Sequence, residues 1–229
     1  MKSFAILLVA GKSTRFENNV SKQVFLLKGK PVFSYPLDAL LNNSSLDEII
    51  VVTNEEHKSE IERYIGNNPK VKVCLGGETR QISVEHGLAM LNADANDIVL
   101  IHDGVRPFID NDLLEKCLNT TLRYGNAITV SPAVETISVL DSDNNISSIM
   151  PRQKCVLARA PQVFYLDSIY AAHLLAKKEG KLFVDSASML FDQKVALNTV
   201  EGPLDNIKIT TPYDLKVCEL LMEQKYEKR

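Results

Sequence analysis

The chain has no surplus of positive charge. Its 26 lysines and arginines are outnumbered by 29 aspartates and glutamates, for a formal net charge of -3. Nucleic-acid binding through phosphates calls for a basic excess, so no nucleic-acid partner is expected. A local cationic site stays open, because net charge averages over the whole surface. Cysteine is scarce as well. Cys74, Cys117, Cys155 and Cys218 are the full set, and no two stand at a CxxC or zinc-ligand spacing. They read as buried free thiols of a reducing compartment, which points to a cytoplasmic protein. No apolar run approaches the roughly 20 residues of a membrane span, so no membrane partner is expected either. The run from Phe4 to Ala10 passes straight into Gly11-Lys12-Ser13-Thr14-Arg15. It lacks a cleavage pattern and reads as a buried first strand rather than a signal-peptide core. Three catalytic signatures are missing too: a Ser-His-Asp ordering, a G-x-S-x-G elbow and an H-E-x-x-H helix.

What is present is an alternation of short apolar runs with longer amphipathic stretches. Phe4–Val9, Ile49–Thr53, Lys72–Leu75 and Ile98–His102 are apolar on both faces, as strands of a parallel sheet tend to be. Between them, Pro36–Leu41, His57–Ile65, Arg80–Leu91 and Asn111–Arg123 carry apolar residues at helical spacing. This alternation predicts an α/β fold, a mostly parallel sheet with helices on both faces. After Gly125 the pattern breaks into Ala127–Pro132, Thr136–Leu140 and Ile146–Ile149, with a turn-rich Asp141–Asn145 between the last two. A hairpin arm over about 133–156 is expected there. Helices over Leu166–Lys178, Ser186–Asp192 and Pro212–Gln224 follow, with a late strand at Lys194–Thr199. No linker or repeat divides the 229 residues, so a single domain over 1–229 is expected.

Four segments carry chemistry-bearing residues at expected strand ends. After the first strand come Val9, Ala10 and Gly11, then Arg15 and Lys22 seven residues apart. Small residues let backbone N–H groups approach phosphates, and the two cations suit a phosphoryl transition state. This is no P-loop: Ile6 occupies the place of its first glycine. The alternative is a plain turn with surface cations. Gly76-Gly77-Glu78-Thr79-Arg80-Gln81-Ile82-Ser83 follows the third strand and opens a helix. Ser83 and the backbone near Gly77 could bond a base edge, although Gly-Gly before a helix is also a common structural turn. His102-Asp103-Gly104-Val105-Arg106-Pro107 ends the fourth strand. An acid there lies where open α/β sheets bind ligands, and Asp103 suits Mg²⁺; His102 reads as a packed strand-end histidine. Finally, Asp205 and Lys208 flank an edge-strand-like piece in Pro203–Thr210. They would repeat the metal-plus-cation logic or form a surface ion pair of little worth.

In combination these blocks resemble the bacterial sugar-alcohol phosphate cytidylyltransferases. The resemblance runs in unbroken order from residue 4 to about 220, through Ala10-Gly11 with Arg15 and Lys22-Gln23, Gly76-Gly77 with Arg80 and Ser83, His102-Asp103 with Arg106-Pro107-Phe108, and Asp205-Asn206-Ile207-Lys208 with Pro212 and Asp214-Leu215. Among that family it is nearest the 2-C-methyl-D-erythritol 4-phosphate group, with the ribitol-5-phosphate group as the alternative acceptor. A catalytically silent nucleotide-binding protein on the same fold is the third reading.

The resemblance implies a Rossmann-like sheet with a dimerising β-arm, a homodimer with shared active sites, and Mg²⁺. CTP would lie over Val9, Ala10 and Gly11, with cytosine near Gly77, Glu78 and Ser83. Asp103 and Gly104 would also bind the nucleotide, and Asp103 and Asp205 would face the Mg²⁺ and ribose region. Arg15, Lys22 and Lys208 would be the catalytic cations. Arg106 and Thr136 of the neighbouring subunit, together with Arg152, would hold the polyol phosphate. The chain departs from the family pattern at Ala160 and Val184, where threonine is usual; both positions are expected on the acceptor side.

Overall fold

The computed structural model describes residues 1–11 and 23–226. The first unit runs β1 (Ser3–Leu8), a small hairpin of β2 (Leu26–Leu27) and β3 (Lys30–Pro31), α1 (Ser34–Asn42), β4 (Glu48–Thr53), α2 (Glu55–Ile65), β5 (Val71–Leu75), α3 (Arg80–Ala89), β6 (Ile98–Asp103) and α4 (Asn111–Tyr124). The second runs β7 (Asn126–Pro132), β8 (Ser138–Leu140), β9 (Ile146–Ile149), β10 (Val156–Tyr165), α5 (Leu166–Glu179), α6 (Ser186–Asp192), β11 (Thr199–Glu201) and α7 (Pro212–Tyr226).

The central sheet has the order β11-β7-β10-β6-β1-β4-β5. β1 pairs in parallel with both β4 and β6, β4 with β5, and β11 with β7. Only β10 runs against its neighbours, β6 and β7. The chain winds outward from β1 to β5 and then returns to β6 on the other side of β1. The strand order therefore reverses at β1, the place where an open α/β sheet leaves a crevice at its carboxyl ends.

Alternation along β1 divides the core in two. Ala5 and Leu7 pack with Phe33 and Leu37 near and on α1, Ile61 of α2, and Leu114 and Cys117 of α4. Phe4 and Ile6 point to the other face, against Val84 of α3, Ile169 and Ala172 of α5, and Met189 of α6. Each fully buried aliphatic side chain stabilises the fold by roughly 1.5–3 kcal/mol relative to exposure. This two-sided demand explains why β1, β4 and β6 read as unbroken apolar runs. Local chemistry sets the helix ends. Asn54, Thr79 and Asp110 accept hydrogen bonds from the amides of His57, Ile82 and Leu113 at the starts of α2, α3 and α4. Gly125 closes α4 at φ 93°, a conformation that favours glycine.

Three expectations need correction. The late strand is Thr199–Glu201 rather than Lys194–Thr199. Lys194 turns at φ 64°, and the Asn198 amide is taken by the Asn126 side chain, so a ladder forms only from Thr199 onward. Among the described residues, the edge-strand-like piece at Asp205–Thr210 joins no sheet; a backbone bond from the Ile209 amide to the Val105 carbonyl and side-chain bonds at Asn206 hold it instead. The ten residues of β10 were not expected as a strand at all. Pro161 disguises them: it lacks an amide for a ladder, and the β10–β7 register breaks between Ala158 and Gln162. The expected arm contains β8 and β9, which pair as their own two-stranded sheet. Its apolar side chains face water: Leu140 is 54% exposed, Ile146 62% and Ile149 64%.

Candidate active site

A pocket of about 250 Å³ opens at the carboxyl ends of β1 and β6, with Ala10, Gly11, Gly77, Ser83, Asp103 and Lys208 in its wall. Its floor depends on close backbone approach. A Cβ on Gly76 would sit 2.6 Å from Ala10 Cβ and 2.7 Å from Ser83 Oγ. One on Gly77 would sit 2.2 Å from Ile82 Cγ2. Neither distance is tolerable for a carbon, so glycine is required there by space. Ser83 Oγ accepts from the Gly77 amide at 3.1 Å and donates to the Thr79 carbonyl at 2.9 Å. The hydroxyl thus shapes the Gly77–Thr79 loop at the pocket wall. Glu78 lines the pocket from the same loop. Val9 is fully buried in the core beneath it. Gly104 passes so near β1 that a Cβ would meet the Leu8 carbonyl oxygen at 3.0 Å.

Asp103, the last residue of β6, is the electrostatic centre. Its carboxylate lies 3.5 Å from Arg80 Nε, 3.1 Å from Arg106 Nε and 3.2 Å from Lys208 Nζ. Burial alone would raise its pKa, but Lys208, Arg80 and Arg106 overcome that and hold the carboxyl well below the usual range. The acid is therefore an anion under all ordinary conditions. Beside it, His102 is fully buried, and burial pushes its pKa down to about 4. Its Nε2 lies 3.2 Å from the Arg106 carbonyl oxygen, and as a donor it braces the turn that carries Asp103 and Arg106. It is packed as the sequence suggested.

A second pocket, about 180 Å³, adjoins the first and shares Arg80, Asp103 and Lys208 with it. Arg106, Ala158, Arg159, Ala160, Gln162, Val184 and Asp185 complete its wall. The Gln162 amide ties this wall together. Its Nε2 donates to Asp185 Oδ2 at 2.8 Å, and its Oε1 accepts from the Ala187 amide at 3.1 Å. Asp185 also caps α6 through the Ser188 amide at 2.8 Å. Both carboxylates of this pocket are thus committed, one to cations and one to a helix end.

The structure gathers Ala10, Gly11, Gly77, Glu78, Ser83, Asp103, Arg106 and Lys208 at these two pockets. It corrects the pairing of Lys208, whose partner is Asp103 rather than Asp205. Asp205 is not part of either wall; its charge is felt at Cys218, whose thiol is pushed up to about 12 chiefly by burial. Arg106 is expected to serve the neighbouring subunit's acceptor site, and the single chain does not test that role. Within its own chain its guanidinium lies in the cleft, 7% exposed and bound to Asp103 and to the Asn206 carbonyl. Thr136 and Arg152 stand in the exposed arm segment, where Arg152 Nη1 donates to the Val134 carbonyl. Arg15 and Lys22 lie outside the described residues. Sequence reasoning gave no role to Arg80, Arg159 or Asn206. Arg80 stood inside the glycine block, Arg159 just before Ala160-Pro161-Gln162, and Asn206 between Asp205 and Lys208; only folding joins them.

Two adjoining cationic pockets at the reversal point of an α/β sheet suit two phosphorylated substrates. The family model for 2-C-methyl-D-erythritol 4-phosphate cytidylyltransferase matches residues 3–224. The chain belongs to that family. It is thus a nucleotidyltransferase, and the enzyme is similar to curated relatives along nearly its whole length. It is 37% identical to the 2-C-methyl-D-erythritol 4-phosphate cytidylyltransferase of Clostridium acetobutylicum, over 96% of this chain and 97% of that one. It is 33% identical to a ribitol-5-phosphate cytidylyltransferase of Vibrio parahaemolyticus, over 96% and 95%. A solved 4-diphosphocytidyl-2C-methyl-D-erythritol synthase from Anaerococcus prevotii superposes with a TM-score of 0.87 at 26% identity, covering 97% of this cytidylyltransferase and 98% of its own chain. Among the described residues, no helix is long and apolar enough to cross a membrane.

Proposed function

We propose that the enzyme transfers CMP from CTP to 2-C-methyl-D-erythritol 4-phosphate, releasing pyrophosphate, in the cytoplasm. The observation that carries this reading is the pair of pockets joined at Asp103 and Lys208, in a chain of this family. The nucleotide occupies the larger pocket, over Val9, Ala10 and Gly11 and against Gly77, Glu78 and Ser83. Asp103 and Gly104 lie at its ribose side. The acceptor phosphate enters the smaller pocket.

An oxygen of the acceptor phosphate forms a bond to the α-phosphorus of CTP. The bond from that phosphorus to the bridging oxygen breaks, and pyrophosphate leaves with the electron pair. The acceptor phosphate is already ionised, so no strong general base is required. Positioning and charge neutralisation supply most of the acceleration. Lys208 stands where the two pockets meet, as a point charge able to follow the reacting phosphates. Arg106 grips the acceptor from the same chain. Arg15 and Lys22 join the triphosphate by the family pattern. A divalent cation such as Mg²⁺ fits the donor chemistry, since it needs only one or two carboxylates beside phosphate oxygens and water. Asp103 lines the pocket as such a carboxylate, already ringed by Lys208, Arg80 and Arg106, and a cation bound there would neutralise phosphate charge; Asp205 would be the second carboxylate. A homodimer formed through the arm would bring Thr136 and Arg152 toward the partner's acceptor pocket.

The test offers purified protein CTP and Mg²⁺ with methylerythritol phosphate or ribitol phosphate and measures pyrophosphate. Release with the former is expected. Release with ribitol phosphate alone would replace this reading by the ribitol one, which Ala160 and Val184 in the acceptor wall, offering no hydroxyl, make worth including. CTP binding without release from either would leave a silent nucleotide binder.

A further inference from the structure

The most unusual feature of the smaller pocket is Arg159. The β10–β7 ladder breaks between Ala158 and Gln162. Such breaks re-aim side chains, and here Arg159 is turned into the pocket wall. Its Nε donates to Ser131 Oγ at 2.9 Å and its Nη1 to the Asn206 carbonyl at 3.0 Å. That same carbonyl accepts from Arg106 Nη1 at 2.9 Å. Asn206 is fully buried, and its Nδ2 donates to the Ala160 carbonyl at 2.6 Å. One rigid oxygen therefore holds two guanidinium groups within about 6 Å of each other. Arg106 has a carboxylate partner, while Arg159 has none among the described residues. Burial and the Arg106 charge both lower the pKa of Arg159. Two like charges are thus held close with their Nη2 groups making no hydrogen bond among the described residues.

We propose that Arg159 is an acceptor-binding, specificity-determining residue: with Arg106, and positioned by Asn206, it clamps the dianionic phosphate monoester of the acceptor. Arginine forks match tetrahedral phosphate oxygens, and an anion between the two would relieve their repulsion. The neighbouring wall positions Ala160 and Val184 offer no side-chain donor. Recognition in this enzyme therefore leans on the phosphate more than on the polyol hydroxyls. This inference rests on the reading of the smaller pocket as the acceptor site.

The test compares wild-type enzyme, Arg159→Gln and Arg159→Lys in steady-state kinetics, with thermal melting alongside. Loss of a charge-assisted fork should raise the acceptor KM roughly 10- to 100-fold. The KM for CTP should stay within about twofold, and the lysine variant should recover part of the loss. An acceptor KM within twofold of wild type would overturn the proposal. So would a parallel rise in both KM values with a fall in Tm, which would mark Arg159 as a mere brace for the Asn206 loop. A second measurement judges the clamp even if methylerythritol phosphate is not turned over at all, the outcome that would sink the functional reading. Inorganic phosphate is titrated calorimetrically into CTP-loaded protein. Binding weakened about tenfold or more in Arg159→Gln supports the clamp. Equal affinity, or no binding by wild type, overturns it.

Discussion

Replacing Asp103 by asparagine keeps the shape of the side chain and removes one negative charge from a ring of three cations. The structure sets the size of the effect. Arg106 is 9% exposed at its side chain and 3.1 Å away, so it cannot escape to water. Arg80, at 24% exposed and 3.5 Å, is only partly free. Lys208 is 40% exposed and can swing out. Breaking a buried pair costs about 3–5 kcal/mol because a charge is left without compensation. With one of three partners able to rehydrate, the lower end applies, about 3 kcal/mol. For a chain of this size each kcal/mol moves Tm by about 2–4 °C, so a fall of about 6–12 °C is expected. The assay is thermal and urea unfolding of both proteins at neutral pH, with and without added phosphate. An added anion should take the place of the lost carboxylate. Phosphate should therefore stabilise Asp103→Asn more than wild type. A loss below about 1 kcal/mol, or equal stabilisation of both proteins by phosphate, would refute the view of Asp103 as the anion that holds this cluster together.

Two further outcomes follow from other parts of the molecule. Burial lowers both His102 and His173 from 6.5 to about 4. The unfolded chain then binds more protons than the folded one between those values, so stability is full above pH 6.5 and falls as pH drops toward 4, by up to about 1.4 kcal/mol per pH unit for each histidine. Urea midpoints against pH for wild type and His173→Leu check this: the variant should lose about one proton's worth of slope, and an unchanged slope would clear His173 of the role. In the proposed homodimer the arm is the interface, since a two-stranded hairpin with exposed apolar side chains is covered by such a partner; Ile146→Asp should then weaken self-association at least tenfold while leaving the circular dichroism spectrum intact. Light scattering reads this directly, and an unaltered dimer mass in the variant would place the interface elsewhere.

Much of the fold was legible because local periodicity encodes element type. The apolar runs became β1, β4, β5 and β6, and the amphipathic stretches between them became α1 through α4. β10 was hidden because its two decisive features, Pro161 and a register break, each argue locally against a strand. Its pairing with β6 and β7 on either side outweighs both. The site divides in the same way. Asp103 at a strand end and the Gly76-Gly77 turn were visible, since strand ends and glycine turns have local signatures. Arg159 carried no such signature.

By itself the sequence determined the α/β alternation, the glycines that permit close approach, the strand-end acid and the family. Tertiary structure alone decided which charges meet. Lys208 pairs with Asp103 across 105 positions rather than with nearby Asp205, and Arg106 reaches Asn206 across 100. The reason is physical: periodicity is a property of neighbours along the chain, whereas an electrostatic site is made where the carboxyl ends of separate strands and their loops converge. There Asp103, which the sequence marked only as a candidate ligand, becomes the common anion of two pockets.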